Sequence, residues 1–157
     1  KDAETGDVKI LGNDWFLDEI RACVAYNQLL ELPDMVSQRR RLAARYRRNM
    51  STAPGLRLLD EHDGFEPSYY QFAIILDPNV DSQTLISNLR DKFGIETKPI
   101  YRPIHEEKVF VSYDTGDLVR AADTLGRSLC LPIHSGMSEQ DVDYISERLV
   151  AEIPERP

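Results

Sequence analysis

The sequence predicts an α+β fold, in which a long helix with a proline kink precedes a small, mainly antiparallel sheet with helices on one face. Three observations favour this class. Apolar residues recur at helical spacing through the first third of the chain. Short apolar segments, rich in β-branched and aromatic residues, then alternate with further helical segments. With 157 residues, 41% of them apolar, the chain can form a core of its own.

The longest helical pattern runs from Gly12 to Met50. Its first part, from about Asp14 to Glu31, follows a polar turn in which Asn13 or Asp14 can cap the helix. So wide an apolar face predicts packing against a large partner. The apolar stripe of this first part consists of Leu17, Ile20 and Val24.

The Leu32-Pro33 step interrupts this pattern, because proline lacks the amide hydrogen that the helical ladder needs. It therefore either kinks one long helix or begins a second helix at its first turn. Arg39 falls on or beside the apolar stripe of the second segment, which is an unusual place for a charge. The second segment, Pro33–Met50, has Met35, Leu42, Ala43, Tyr46 and Met50 on one side.

Four later segments have the composition of strands. The strongest is Tyr69–Leu76, which is apolar on both faces and is therefore predicted to lie at the centre of its sheet. The other three are Leu56–Asp60, Ile95–Ile100 and Ser128–Ile133.

Three helices are predicted between and after these strands. One runs from a cap at Asp81 or Ser82 to about Phe93, where Gly94 ends it. A short helix covers about Asp117–Leu125. The last begins at Ser138, with Asp141 completing a variant of the capping box. Their predicted inward residues are Leu85, Leu89 and Phe93, then Leu118, Ala121, Ala122 and Leu125, then Val142, Ile145, Leu149 and Ile153.

Composition excludes several classes of function. A net charge of −8 disfavours general nucleic-acid binding, because an acidic surface repels phosphate. The sequence contains no apolar run of about 18 residues, so no membrane span is predicted. The N-terminus also lacks the features of a signal peptide. A cytoplasmic protein is therefore expected. The two cysteines, Cys23 and Cys130, are predicted to be free thiols buried as small apolar residues.

Motifs for metals and for common catalytic sites are missing from the sequence. His62, His105 and His134 lack the spacing of metal ligands, and no CxxC, glycine-rich phosphate loop or Gly-x-Ser-x-Gly elbow occurs. We therefore expect no metal site. The arginine-rich stretch from Arg39 to Arg48 has two interpretations, a solvated helix face paired with acidic residues or a contact with an anion or a subunit.

The segment Tyr101-Arg102-Pro103-Ile104-His105 is the most informative polar cluster. Pro99 and Pro103 favour extended backbone around it. Tyr101, Arg102 and His105 offer a phenol, a bidentate donor to anions and a group that titrates near neutral pH. The segment is either a surface loop without a role or a loop that contacts a ligand.

Several short motifs stand in a characteristic order between Gly12 and Ile153. Their order and spacing resemble the C-terminal portion of the DegT-type sugar aminotransferases, pyridoxal-phosphate enzymes of fold type I. The motifs are Gly12-Asn13-Asp14-Trp15, Glu19-Ile20-Arg21-Ala22, Gln28-Leu29, Arg39-Arg40, Ala44-Arg45-Tyr46, Gly94-Ile95-Glu96-Thr97, Tyr101-Arg102-Pro103-Ile104-His105, Leu131-Pro132-Ile133-His134 and Asp141-Val142-Asp143-Tyr144-Ile145.

This resemblance implies an organisation for the chain. Residues 1–13 would lead in from an N-terminal domain that holds pyridoxal phosphate and is missing here. Residues 14–50 would form the long connecting helix, and residues 51–157 the small C-terminal domain. Such enzymes transfer an amino group from a glutamate-like donor to a keto-sugar carried on a nucleotide, and a homodimer is expected.

The resemblance also implies that this chain alone is inactive and binds no cofactor. None of its five lysines matches the position of the family's Schiff-base lysine, so no catalytic residue is assigned. In the family's opening motif an asparagine reaches the cofactor phosphate and an arginine follows. Asp14 and Phe16 stand at those positions, and a carboxylate would repel a phosphate. With a shift of one residue Asn13 could serve, so Asn13 and Asp14 are the candidates for cofactor contact.

The resemblance assigns substrate contacts to Tyr101, Arg102 and His105. The expected function is the C-terminal domain of a nucleotide-sugar aminotransferase, supplying substrate contacts and dimer packing. The alternative is a stand-alone binding or interaction module without catalysis, derived from that domain. In the isolated chain, the stripe of Leu17, Ile20 and Val24 should be exposed, mispacked or buried against another copy.

Overall fold

A computed structural model describes residues 17–110, 113 and 118–154 of the chain. The described residues form a mixed fold with a small three-stranded antiparallel sheet and a long first helix, which confirms the predicted fold class. The α-helices are α1 (Glu19–Asn49), α2 (Ser82–Phe93), α3 (Val119–Gly126) and α4 (Glu139–Glu152), and the strands are β1 (Leu56–Leu58), β2 (Phe72–Leu76) and β3 (Ser128–Leu131).

The chain divides into two compact units, residues 1–33 and 34–157. In the first unit, α1 begins at Glu19 rather than at Asp14, because Leu17 and Asp18 are not helical. The Asp18 carboxylate accepts the backbone N–H of Arg21 at 2.9 Å and so satisfies a free donor of the first turn. The predicted caps, Asn13 and Asp14, lie outside the described residues.

The predicted burial of Cys23 is wrong, since this thiol is exposed. The described part of the first unit is a single helix, and one helix has no second element that could cover its apolar stripe. Leu17, Ile20 and Val24 are exposed to 60%, 79% and 61%, which is one of the outcomes expected for the isolated chain.

Pro33 lies inside α1, which continues to Asn49 as one helix. Of the two predicted outcomes, a second helix beginning at this proline is therefore wrong. The missing N–H of Pro33 leaves one carbonyl of the preceding turn without its helical partner, a local cost that the helix tolerates.

The sheet has the strand order β1-β2-β3, with β2 at its centre as predicted, and both pairings are antiparallel. Leu58 lies opposite Ile74, and Ile74 lies opposite Leu129. Because side chains alternate along a strand, this register gathers most of the large apolar residues of the three strands on one face. These residues are Leu56, Leu58, Phe72, Ile74, Leu76, Leu129 and Leu131.

Three helices of the second unit cover this apolar face and complete the core. Tyr46 of α1 is fully buried, stacks on Phe72 with ring centroids 4.8 Å apart, and donates its hydroxyl to the Pro132 carbonyl at 2.9 Å. The buried helical residues confirm the predicted stripes of α2, α4 and the second part of α1. They are Leu42, Ala43, Tyr46, Leu85, Leu89, Val142, Ile145 and Leu149.

The capping residues predicted for α2 and α4 are confirmed, and so is the glycine predicted to end α2. The Asp81 carboxylate accepts the N–H groups of Gln83 and Thr84, and Gly94 ends α2 in the left-handed region with φ of 67°. At the start of α4, Ser138 and Asp141 form a reciprocal capping box.

Two other elements differ from the prediction. Ile95–Ile100 is not a strand but a single antiparallel bridge between Lys98 and Cys130. Pro99 has no N–H to donate and so cannot extend the ladder. In α3 no residue is fully buried. Of its four predicted inward residues, Leu118 and Ala121 are exposed, whereas Ala122 and Leu125 are half-buried, so the predicted inward face is confirmed only in part. This helix has only eight residues and contributes nothing to the main core.

Three arginines of the arginine-rich part of α1 pair with acidic residues, as the first of its two interpretations predicted. Arg40 contacts Glu66 at 2.8 Å, and Arg47 lies 3.5 Å from Glu61. Arg45 makes a bidentate pair with Asp143, with both N–O distances at 2.7 Å. Hydrogen bonds from Arg45 and then from Asn49 lower the pKa of Asp143 from 3.8 to about 2.

Candidate functional site

The segment from Tyr101 to Phe110 connects the bridge at Lys98 to the later part of the unit. After the buried Pro103 it makes two short 3-10 turns, Ile104–Glu106 and Lys108–Phe110. In the first turn the Glu106 N–H donates a hydrogen bond to the Pro103 carbonyl at 3.0 Å. In the second turn the Phe110 N–H donates to the Glu107 carbonyl at 2.8 Å. The loop is therefore more ordered than its composition indicated.

Two of the three residues predicted to contact substrate have side chains in this loop that are exposed to solvent. Tyr101 is 63% exposed, and Arg102 is exposed with its Nε 3.7 Å from the Glu106 carboxylate. His105 is half-buried. None of the three lines either of the two clefts described next. The loop thus presents a phenol and a weakly held guanidinium to solvent.

The larger cleft, of about 640 Å³, lies beside the segment that joins β1 to β2. Arg40 anchors this segment by donating to the carbonyls of Glu66 and Pro67, both at 3.0 Å. Tyr69, at its far end, has a φ of 49°, which is uncommon for a residue with a side chain. The lining is mainly apolar and includes Phe65, which is 77% exposed.

A second cleft, of about 450 Å³, has a more polar lining. It opens between α1 and the bridged segment around Lys98, and lies wholly within the second unit. Arg39, Glu96, Thr97 and Lys98 line it. Sequence reasoning assigned no site here. The one indication was the placement of Arg39 on or beside an apolar stripe.

No group of three or more histidine, cysteine, aspartate or glutamate side chains in the described ranges could hold a metal ion. His134 accepts the backbone N–H of Gly136 on its Nδ1 at 3.1 Å, and His62 packs edge-on against Phe65. Cys130 is buried, as predicted, and burial raises the pKa of its thiol. A buried thiol with a raised pKa is a poor nucleophile.

The family of this chain follows from comparison with known proteins. Residues 1–150 match the family described as DegT/DnrJ/EryC1/StrS aminotransferases. The chain belongs to this family. The resemblance expected from the ordered motifs is thereby confirmed. No helix in the described part of the chain has both the length and the apolar character that a bilayer crossing requires.

The related proteins are much longer than this chain. The spore coat polysaccharide biosynthesis protein SpsC of Bacillus subtilis is 27% identical over 135 residues, which are 82% of this chain but 35% of SpsC. A dTDP-4-dehydro-2,3,6-trideoxy-D-glucose 4-aminotransferase of Saccharopolyspora spinosa is 29% identical over 140 residues, 88% of this chain and 34% of the enzyme. This family member therefore spans only about a third of these two relatives.

Solved structures of aminotransferases share the fold. The aminotransferase TlmJ from Streptoalloteichus hindustanus superposes with a TM-score of 0.83 at 29% identity, over 92% of this chain and 39% of TlmJ. DesV from S. venezuelae gives a TM-score of 0.83 at 24% identity, over 98% of this chain and 42% of DesV. The second similarity concerns the fold alone.

Pyridoxal phosphate is the cofactor that the family implies, and the described residues of this chain do not fit it. The cofactor needs a lysine for its aldehyde and a cradle for its phosphate, commonly at a helix N-terminus. Lys92 is bound to Glu152 at 2.8 Å, and Lys98 lies in a cleft that no helix N-terminus lines. Asn13 and Asp14, the predicted phosphate contacts, lie outside the described residues.

Proposed function

We propose that this chain is the C-terminal portion of a pyridoxal-phosphate-dependent nucleotide-sugar aminotransferase. The observation that carries the proposal is the family match over residues 1–150, together with relatives of which the chain covers about a third. The name of the Saccharopolyspora relative supports a keto-sugar on a nucleotide as the substrate class. In this proposal the rest of the longer protein supplies the cofactor site and the Schiff-base lysine.

The contribution of this chain would be to bind substrate through the loop at Tyr101–His105. The Arg102 guanidinium, held only loosely by Glu106 at 3.7 Å, is free to turn toward a diphosphate. Its planar fork can donate two parallel hydrogen bonds to phosphate oxygens. The Tyr101 ring offers a flat apolar face, and the half-buried His105 adds a ring nitrogen that can donate a hydrogen bond.

The proposal predicts that this chain alone neither transaminates nor binds pyridoxal phosphate covalently, because it lacks the matching lysine. The decisive experiment compares the 157-residue chain with the longest polypeptide encoded by its gene. Both are assayed for amino transfer from glutamate to a nucleotide-linked keto-sugar. We expect activity in the longer polypeptide and none in the shorter chain. Activity of the shorter chain, or a longer polypeptide without activity at saturating cofactor, contradicts the proposal.

An absorption spectrum provides the control for the cofactor. We expect the 157-residue chain mixed with pyridoxal phosphate to show only the spectrum of the free cofactor. The longer polypeptide should show the visible band of a lysine-bound cofactor, which substitution of one lysine abolishes. A stoichiometric band in the shorter chain that disappears in Lys98→Ala would assign the Schiff-base lysine to this chain instead.

The second candidate function is a stand-alone binding or interaction module derived from this domain. Asp14 and Phe16 favour it, because they replace the asparagine and arginine of the family's opening motif. The intact mass of the natural protein separates the two candidates. A mass near 18.0 kDa supports the module, and a mass about two and a half times as large supports the aminotransferase, as the length of the relatives indicates.

A further inference from the structure

Arg39 differs from the other partly buried arginines in the described part of the chain, because it has no carboxylate partner. Its neighbours on α1 illustrate the difference: Arg40 contacts Glu66 and Arg45 contacts Asp143. Burial without a counter-charge is costly for a guanidinium, so such groups are normally paired. The partly buried arginines that do have acidic partners are Arg40, Arg45, Arg47, Arg127 and Arg148.

The Nε atom of Arg39 is inaccessible to solvent and has no hydrogen-bond partner. The Thr97 hydroxyl oxygen has the same property, and both residues line the cleft of about 450 Å³. A buried donor without an acceptor costs about 1–3 kcal/mol, and two such groups on one cleft are unusual in a folded protein. A ligand with acceptor oxygens would satisfy both.

The charges around the cleft narrow the class of ligand. Arg39 and Lys98 are cations, and Glu96 is the one carboxylate in the described lining, which leaves a single net positive charge. A carboxylate balances that charge, whereas a phosphate dianion would exceed it. The cleft volume lies in the range typical of sites for small molecules. The Tyr70 side chain, 73% exposed, forms part of the rim.

We propose that this cleft binds a small molecule through its carboxylate group, with Arg39 and Thr97 donating hydrogen bonds to the carboxylate oxygens and Lys98 supplying further positive charge. This site is separate from the Tyr101–His105 loop and needs no cofactor. The inference therefore does not rest on the proposed aminotransferase function, and either can fail without the other.

The test uses the side-chain Nε–H resonance of Arg39 in the ¹⁵N-labelled 157-residue chain. Butyrate, a small monocarboxylate, is titrated at constant ionic strength, with inorganic phosphate in a parallel titration. We expect a saturable shift of the Arg39 signal with butyrate in the millimolar range and a weaker response to phosphate. Arg41, exposed on the same helix, provides the matched control, and its Nε–H signal should move only slightly and linearly.

Two variants test the assigned donors. Thr97→Val keeps the shape of the side chain but removes the hydroxyl, and we expect it to weaken butyrate binding about tenfold, the loss of roughly one charged hydrogen bond. Arg39→Lys should weaken binding at least as much, whereas Arg41→Lys should leave it unchanged. If Arg39→Lys does not fold, the saturation of the wild-type Arg39 signal and the affinity of Thr97→Val still test the proposal. A wild-type Arg39 signal that shows no saturation, tighter binding of phosphate, or undiminished binding by Thr97→Val overturns the proposal.

Discussion

Arg102 is the residue whose environment best suits a change of partner. Its guanidinium is 65% exposed and lies 3.7 Å from the Glu106 carboxylate, a pair worth little in water. In the proposed full-length enzyme we expect Arg102→Ala to raise the KM for the nucleotide-sugar about tenfold or more, because a charge-assisted contact to phosphate is lost.

Steady-state kinetics with the nucleotide-sugar as the varied substrate measures this effect. Arg120→Ala is the matched control, since Arg120 is also exposed. An Arg102→Ala enzyme with an unchanged KM would remove Arg102 from the substrate site.

The pair between Arg45 and Asp143 makes stability depend on pH. The pKa of Asp143 falls from 3.8 to about 2 in the folded state, so the ionised carboxylate favours folding. This contribution is complete above pH 3.8 and disappears as the pH falls toward 2. We expect Asp143→Asn to have a lower Tm than the wild type near neutral pH, and the difference to shrink across that acid window.

Thermal unfolding between neutral pH and pH 2 measures the difference in Tm. Glu147→Gln, on the same helix, is the control, because Glu147 is exposed and lies 3.6 Å from Arg148. A Tm difference for Asp143→Asn that stays constant through the acid window would show that the carboxylate charge does not cause it.

The burial of single residues could be predicted where a periodic stripe had a partner within the same unit. Leu42 and Met50 are buried as the pattern indicated, because the sheet of the second unit covers them. Cys23 follows the same periodicity and is exposed. Periodicity identifies an apolar face but not what covers it. The unpaired state of Arg39 also depends on neighbours distant in sequence, so no local pattern could predict it.

At the scale of elements, the helices with strong local end signals were predicted most accurately. Asp81 and Gly94 bound α2, and the capping box fixes the start of α4. Strand formation was less predictable. The composition of Ile95–Ile100 is typical of a strand, but Pro99 lacks a donor, so only the bridge at Lys98 forms.

The turn before β1 depends on Gly55 for two reasons. Its φ is 76°, and an added Cβ would collide with the Ile153 side chain that follows α4. Gly94 has a similar φ of 67°, but an added Cβ would meet open space. We expect Gly94→Ala to lower the free energy of unfolding by about 1 kcal/mol, from backbone strain alone. Gly55→Ala should cost about 3 kcal/mol, because overpacking adds to the strain.

Urea denaturation at equilibrium gives both free energies of unfolding. Gly64→Ala is a second control, with a φ of 84° and open space around the added Cβ. Equal costs for Gly55→Ala and Gly94→Ala would mean that Ile153 moves aside without penalty.

At the scale of the molecule, the described part of the first unit presents an apolar helix surface that nothing in that unit covers. Ile20 and Val24 are exposed to 79% and 61%. Burying such a side chain contributes about 1.5–3 kcal/mol. We therefore expect the isolated chain to self-associate, and the double variant Ile20→Glu/Val24→Glu to weaken the dimer more than tenfold.

Sedimentation velocity over a range of concentrations measures the association. Phe65→Glu is the control, because Phe65 is 77% exposed but belongs to the second unit. A wild-type chain that stays monomeric at every concentration, or a Phe65→Glu variant that dissociates equally, contradicts this prediction.

The strand order has a consequence for the sequence of events during folding. β1 and β2 are joined by residues 59–71, whereas β2 and β3 are joined by residues 77–127, a connection about four times as long. Since each doubling of a loop adds about 0.6 kcal/mol to its closure entropy, the second pairing is harder to nucleate by about 1 kcal/mol. The β1–β2 hairpin should therefore form in the transition state, with β3 docking afterwards. Leu58→Ala should then slow refolding, while Leu129→Ala should mainly accelerate unfolding. Stopped-flow kinetics measures both rates. If β3 docks first, Leu129→Ala should instead slow refolding and Leu58→Ala should mainly accelerate unfolding.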